Sequence, residues 1–597
     1  MNRLRKIFIG SARDVRDARI FHKLSLVAFL AWVGLGSDGL SSSCYGPPEA
    51  FLSLGNHSYL SIFVALCTGI TILIIASSYK QIIEIFPTGG GGYLVASKLL
   101  SPHVGMVAGS ALLIDYVLTI TLSIASGADA VFSFLPIKYH VYKFWFAIFG
   151  VILLLWLNLR GIKEAVVPLV PVFLSFIFLH IFAFVYAFID HGSSLTQISM
   201  QTSSELSHSY TRIGLFGILF IIMRAFSMGA GTFTGIEAVS NGLPILREPR
   251  VMTARKTMNY MAVSLSLTVF GLMLGYLLYS VSPVEGKTLN AIFFESLTRG
   301  WSANNSLIFV TITLLSEALL LFIAAQTGFL DGPRVLANMA LDRWLPSRFA
   351  MLSDRLVTQN GIMLMGAAAL TMMIISGGSV EFLVVLYSIN VFITFTLSQT
   401  GMVRHWWIER KSDRKWKRKL LINGIGLSLS VFVLFTILYI KFDQGGWITL
   451  VVTSLLVVFA LIVKRHYNKT KELFRRLDTI VDSVEASIYN LEGEQVALEE
   501  PQFDPQSKTA VVLVNGFNGL GLHTLLSIFR LFGSSFKNFV FLQVGAVDAG
   551  NFKGSDEIKN LTAYIEHESN RYVKYMKEHS FYAESFTSVG NDIVDEV

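Results

Sequence analysis

Four carboxylates stand in stretches otherwise too apolar to solvate a charge: Asp38, Asp115, Glu237 and, less deeply, Glu317. An acid held inside a hydrocarbon layer is costly, so each is a functional hypothesis by default. Asp38 lies in "AWVGLGSDGLSSSCYGPPEA" (31–50), where an apolar run gives way to glycines, serines and a Pro-Pro pair. Glu237 lies in a similar interruption, "SMGAGTFTGIEAVSNGLP" (227–244). Asp115 belongs to "IDYVLTITLSIASG", in which Tyr116, Thr119 and Ser123 recur at i, i+3 and i+7 and so share one helical face. Taken singly, such serines and threonines bond their own i−4 carbonyls and the tyrosine packs in a core. A whole stripe of hydroxyls beside an acid is arranged to meet something polar.

The elements that must position these groups are membrane spans. The chain has 597 residues, of which 53% are hydrophobic and 15% charged; a soluble protein of that length needs more charge to cover its surface. Twelve apolar segments are expected, at roughly 24–52, 58–79, 104–134, 144–160, 166–190, 213–243, 259–281, 303–330, 360–377, 380–403, 420–440 and 446–464. This is the pattern of an all-α polytopic membrane protein. No short apolar stretch with a small-residue cleavage site follows the basic N-terminus, so no signal peptide is read. Alternate loops carry the basic residues: Arg3 to Lys23, Arg160 and Lys163, Arg247 to Lys256, Arg334 to Arg355, and "RKSDRKWKRK". That bias puts both termini in the cytoplasm, in a cytoplasmic or inner membrane. It also accounts for the net charge of +7 without invoking nucleic acid. Cys44 and Cys67 both fall in apolar spans, which argues against a disulfide or a cysteine metal site.

Glycines and small hydroxyl residues inside spans one and six free backbone groups that lipid cannot satisfy. Two such interruptions five spans apart fit a transporter of two inverted repeats with its site at mid-membrane; continuous, glycine-packed helices are the plainer alternative. At this point a family resemblance enters. "FPTGGGGYLVASKLLSPHVGMVAGSALLIDYVLT" (86–119), "TFTGIEAVSNG" and "QTGFLDGPRVLANMALDRWLPSRF" (326–349) resemble signatures of the amino acid–polyamine–cation permease superfamily over about residues 20–465. The resemblance implies a LeuT/APC-type five-plus-five inverted repeat with two further spans.

Amino acid permeases of that superfamily offer backbone N–H groups at the first break to a substrate carboxylate. Asp38 would repel it: two like charges about 4 Å apart at an effective dielectric of about 20 cost about 4 kcal/mol. Unless Asp38 is protonated or paired, the site suits a cation. More narrowly, Asp38 and Tyr45, then Asp115, Tyr116, Thr119 and Ser123, then Thr234 and Glu237, and Tyr387 in "VVLYSINVF" resemble the ion-pathway set of the KUP potassium-uptake family. That resemblance implies proton-coupled potassium uptake, with tyrosines lining and gating the path and oxygens replacing water around potassium. A hard monovalent cation takes such ligands in preference to histidine or thiolate. Crowded carboxyls away from water cannot all be charged cheaply and can share a proton. Glu237 is expected to carry the coupled proton, with Asp38 and Asp115 as ion ligands.

Expected domains are an N-terminal cytoplasmic segment (1–23), the transporter (24–465), a helical linker (466–504) and a cytoplasmic α/β domain (505–597). In the last, "TAVVLVNGFNGLGLHTLLSIFRLF" reads as a strand, a glycine-rich turn and an amphipathic helix that open a βαβ unit. The turn is not a P-loop, since no GxGxxG and no Lys-Ser/Thr pair is present; it is either a ligand-free βα turn or a phosphate cradle. By resemblance, the tail dimerises, and in some members it binds an inhibitory cyclic dinucleotide. Expected partners are therefore potassium, protons, membrane lipid and a second copy, with no cofactor. The alternatives are a permease for an amino acid or cationic amine, and a receptor whose tail signals. No HExxH, GxSxG or nucleophile beside paired acids supports an enzyme.

Overall fold

The computed structural model describes residues 25–160, 169–192, 195–353, 355–492, 501–550, 555–591 and 593–597. The expected N-terminal segment 1–23 lies outside the described residues, as do Lys163 and residues 493–500 of the linker. The chain divides into two compact units. One runs to Leu336 and resumes over Asn360–Val458; the other comprises Ala337–Gln359 and Phe459–Val597.

The first unit is helical. Among the described residues, ten helical runs are long and apolar enough to cross a membrane. The two longest are Gly36–Ile85 (50 residues) and Trp416–Asp482 (67 residues), against the ~20 residues that a crossing takes. Each is interrupted, by non-helical His57 in the first and by Gly445 at φ 104° in the second. Apolar side chains are turned outward and polar ones inward: Leu66, Ile70 and Leu73 are exposed on the Ser61–Ile85 helix, while Thr68, Thr71 and Ser78 are buried. The Pro102–Phe132 helix is central, with nearly its whole length buried. Ser101 caps it by accepting from the Val104 N–H (3.2 Å), and Pro102 occupies the first turn, where its missing N–H costs nothing.

The two interruptions differ from one another. The first span is jointed: helix Ala28–Gly34 bends at Leu35 into Gly36–Ser41, continues as a 3₁₀ turn over Ser42–Cys44, and restarts at Gly46–Leu54 after Tyr45. Pro47 and Pro48 sit in the first turn of that last piece. Asp38 therefore lies in a helical turn, and the expected unwinding does not occur there. Ser41, Ser42 and Ser43 direct their hydroxyls at the carbonyls of Asp38, Gly39 and Leu40, a back-bonding that bends a helix without opening it. The sixth span does open. After helix Leu195–Met228 and a 3₁₀ turn to Phe233, Thr234 is extended and Gly235 takes φ +76°, before the short helix Ala238–Asn241.

These spans cross with backbone against backbone. A Cβ on Gly235 would lie 2.5 Å from the Gly39 nitrogen, and one on Gly46 would lie 2.0 Å from the Thr232 hydroxyl. The Thr232 carbonyl lies 2.8 Å from the Ser42 hydroxyl and shares its one proton with the Gly39 carbonyl. The eighth apolar segment, read as ending near 330, continues as one helix, Ala303–Leu341, through Pro333.

In the second unit, strands β1 (Lys508–Val514), β2 (Phe536–Ala546) and β3 (Tyr582–Gly590) form a parallel sheet in that order. Helix Gly519–Phe532 joins β1 to β2, and helix Ser555–Glu578 joins β2 to β3. Alternation along β1 sends Ala510, Val512 and Val514 into a core with Leu522, Leu525, Phe541 and Tyr572. Val511 and Leu513 point the other way and are 63% and 56% exposed. The glycine-rich turn is used for packing: a Cβ on Gly519 would lie 2.2 Å from the Leu477 carbonyl of the Trp447–Glu492 helix. Its Phe517 N–H donates to the Glu568 carboxylate (2.8 Å), so one donor of the turn is already taken by the protein's own anion. Ala549 N–H donates to the Ala350 carbonyl (2.9 Å), tying the sheet to the loop after Leu341.

Candidate functional site

Jointed and opened spans bring the acids of three elements to one buried region. Asp38 comes from the first span, Asp115 from the Pro102–Phe132 helix and Glu237 from the turn after Gly235. All three are buried. Asp38 Oδ1, both Asp115 carboxylate oxygens and Glu237 Oε2 have no hydrogen-bond partner. The three lie within electrostatic reach of one another. Among the described residues no basic side chain forms an ion pair with any of them. Carboxylate oxygens kept from water without donors or counter-charges are stable only with a proton or a cation beside them.

Hydroxyls surround the acids. Tyr45 Oη and Thr234 Oγ1 are 3.1 Å apart; Thr234 donates to the Gly231 carbonyl (2.8 Å), which leaves the Tyr45 hydroxyl to donate to Thr234. Thr119 Oγ1 has the Tyr387 hydroxyl at 2.9 Å and its own i−4 carbonyl, Asp115 O, at 3.0 Å. One proton cannot serve both, so the bland contact and the cross-span contact coexist at this residue. Tyr116 Oη accepts from Asn241 Nδ2, linking the third span to the sixth. Ser123 is buried with no partner for its hydroxyl. Glu317 is not part of this group: its Oε1 accepts from Asn290 (2.6 Å), and it lies beside Cys44.

Three participants were not among the candidates read from the sequence. Asp331 is fully buried, pairs with Arg334 (3.0 Å), and reaches Asp38 and Glu237 electrostatically. Its signal was present, an acid in "QTGFLDGPRV", but the apolar segment was read as ending one residue earlier. Thr327, whose side chain neighbours the Asp38 carboxyl, and Asn241 carry no charge and leave no such signal. Among the described residues no group of three or more His, Cys, Asp or Glu side chains is placed to hold one metal ion.

A family model described as "Amino acid permease" matches residues 25–470, three quarters of the chain. The chain belongs to the amino acid permease family. Within it, the permease is 33% identical over 461 residues to the potassium transporter KimA of Bacillus subtilis, covering 76% of this chain and 73% of that protein. A solved manganese transporter of Eremococcus coleocola matches at 16% identity with a TM-score of 0.40, covering 77% of this chain and 99% of that one. A complex of that transporter with an aromatic bis-isothiourea compound gives 15% and 0.39. A permease moves its solute unchanged, so this KimA-like chain is a multi-pass membrane transporter and not an enzyme.

Proposed function

We propose that the permease imports potassium across the cytoplasmic membrane in symport with protons. The observation that carries this reading is the burial of Asp38, Asp115 and Glu237 among hydroxyls, with unpartnered oxygens and no basic partner. The identity to a potassium transporter supports the choice of ion. Asp38 and Asp115, with oxygens from Tyr45, Tyr116, Thr119, Ser123, Thr234 and Tyr387, line the ion path. Glu237 takes and releases the proton, because a third carboxylate beside two others is the one whose charge the site tolerates least once an ion leaves. The Tyr45–Thr234 pair closes one end of this path. In this reading the two over-long helical runs each cross twice, giving twelve spans as an inverted five-plus-five repeat plus two. Both termini face the cytoplasm, on the side of the basic loops.

The tail joins two copies through the outer face of its sheet. Parallel sheets are normally covered on both faces, and Val511, Leu513 and Phe586 are exposed on this one. A cyclic dinucleotide at the tail rests on family likeness alone, and an anion at the Gly516–Gly521 turn competes with Glu568 for the Phe517 N–H.

Expression in a potassium-uptake-deficient cell tests the reading: growth on limiting potassium should be restored. Absence of growth, with the protein present in the membrane, overturns it. Uptake into proteoliposomes should accelerate when an inward proton gradient is imposed; equal rates with and without the gradient remove the symport. The same acids suit a cationic amine, and rescue that fails for potassium while amine uptake is saturable would establish that second reading.

A further inference from the structure

Above Tyr45 the first unit holds a cavity of about 320 Å³, lined by Cys44, Tyr45, Ser126, Asp129, Glu317 and the Pro283–Leu289 loop among others. Most of its charges face an opposite charge. Asp129 is paired with Lys143 (2.6 Å), Glu49 and Glu381 both face the buried Lys441, and Lys287 is bound by Glu295 (2.7 Å). Glu49 and Glu381 share the one Lys441, and Glu317, 1% exposed, has no basic partner at all among the described residues, so the cavity keeps a surplus of negative charge. Asn290 holds its Oε1, and Asn290 is fixed in turn by the Tyr276 hydroxyl, so the carboxylate is aimed by a rigid chain of donors. Its Oε2 has no hydrogen-bond partner, and neither has the buried hydroxyl of Ser126 on the same cavity wall. Ser126 extends the stripe Tyr116, Thr119, Ser123 by one more turn, at i+10, so an oxygen-lined face of one helix runs from the central acids to this cavity.

We propose that Glu317 and Ser126 form a second monovalent-cation site in this cavity, separated from the Asp38 site by Tyr45. Rigid donor support from Asn290 on one oxygen, with only the weak Cys44 thiol as a further donor beside the carboxyl, suits a partly hydrated ion that must bind and leave again. The proposal rests on the reading of this chain as a cation transporter.

Equilibrium binding of radioactive rubidium to the purified full chain tests it. The wild-type chain should show two classes of bound ion. Glu317→Gln should lose one class while Asp38→Asn keeps it, and Glu317→Asp, which retains the charge with a shorter reach, should keep it at weaker affinity. Glu317→Gln binding like wild type overturns the second site and leaves the central one standing. Loss of all binding in either variant alone means one shared site and also overturns it. No rubidium bound by the wild-type chain overturns both readings. A measurement that leaves Glu317 intact guards against misfolding of the variant. In a Cys67→Ala background, rubidium should slow modification of the Cys44 thiol by a methanethiosulfonate reagent severalfold against choline at equal ionic strength. Equal rates overturn the site.

Discussion

At the scale of single residues, Asp38 and Gly235 meet, one supplying charge and the other the absence of a side chain. Asp38→Asn keeps the shape of the site and removes its charge. It should abolish potassium uptake while leaving the gel-filtration profile of the detergent-purified protein unchanged; full uptake would remove Asp38 from the ion path. Gly235→Ala acts on the backbone. Its φ of +76° costs an L-residue about 1–2 kcal/mol, and its Cβ would fall 2.5 Å from the Gly39 nitrogen. The variant should melt several degrees lower and lose uptake; an unchanged Tm with normal uptake would show slack at the crossing. Asp38, Asp115 and Glu237 were legible in the sequence because a charge amid apolar residues has few other uses. Asp331 escaped because Pro333 and Arg334 look like a span end, yet the helix absorbs both. Neutral Asn241 and Thr327 could not be read at all, since an amide or hydroxyl in a span also serves ordinary packing.

Helices and turns were legible to different depths. Glycine, serine and proline marked two interrupted spans, and the composition alone treated them alike. In the first, the serines feed their hydroxyls back to carbonyls one turn earlier and the helix bends without opening. Gly36 and Gly39 there give room to Trp32 and Met261 and have no positive φ, whereas Gly235 in the sixth span has one. A glycine kept for close approach and one kept for a left-handed turn are identical in sequence. The βαβ order of the tail was legible because period-two and helical patterns alternate there without a membrane to blur them. The cap of the Pro102–Phe132 helix should matter for stability more than for uptake. Ser101→Ala removes the acceptor of the Val104 N–H and should cost about 1 kcal/mol of stability, read as a small drop in Tm, with uptake retained. A large loss of uptake would mean that this helix end does more than start the helix.

For the whole molecule, the proposed association of two copies is assigned to the outer face of the tail sheet. Val511→Glu together with Leu513→Glu places charges on a face whose opposite side forms the core. Light scattering of the detergent-purified protein should then report a monomer where the wild type is a dimer, with the sheet intact by circular dichroism. A monomeric wild type would contradict the association itself. How the two copies assemble was beyond the sequence, because the exposed residues of a strand look the same whether they meet water or a partner.

The crossing of the first and sixth spans has a mechanical consequence. At Gly46–Thr232 and at Gly39–Gly235 the two spans approach so closely that even a Cβ would meet backbone atoms within 3 Å, and only the short Thr232 hydroxyl and the Asp38 carboxyl share the contact. Such a joint works as a bearing, which transmits rotation and has almost no play. The Tyr45–Thr234 bolt and the Asp38–Glu237 spacing are mounted on its two opposed halves. Any turn that draws the bolt therefore changes the spacing of the acids in the same stroke. If the proposed symport holds, opening the path and resetting its charge are one movement, which is what separates coupled transport from a leak.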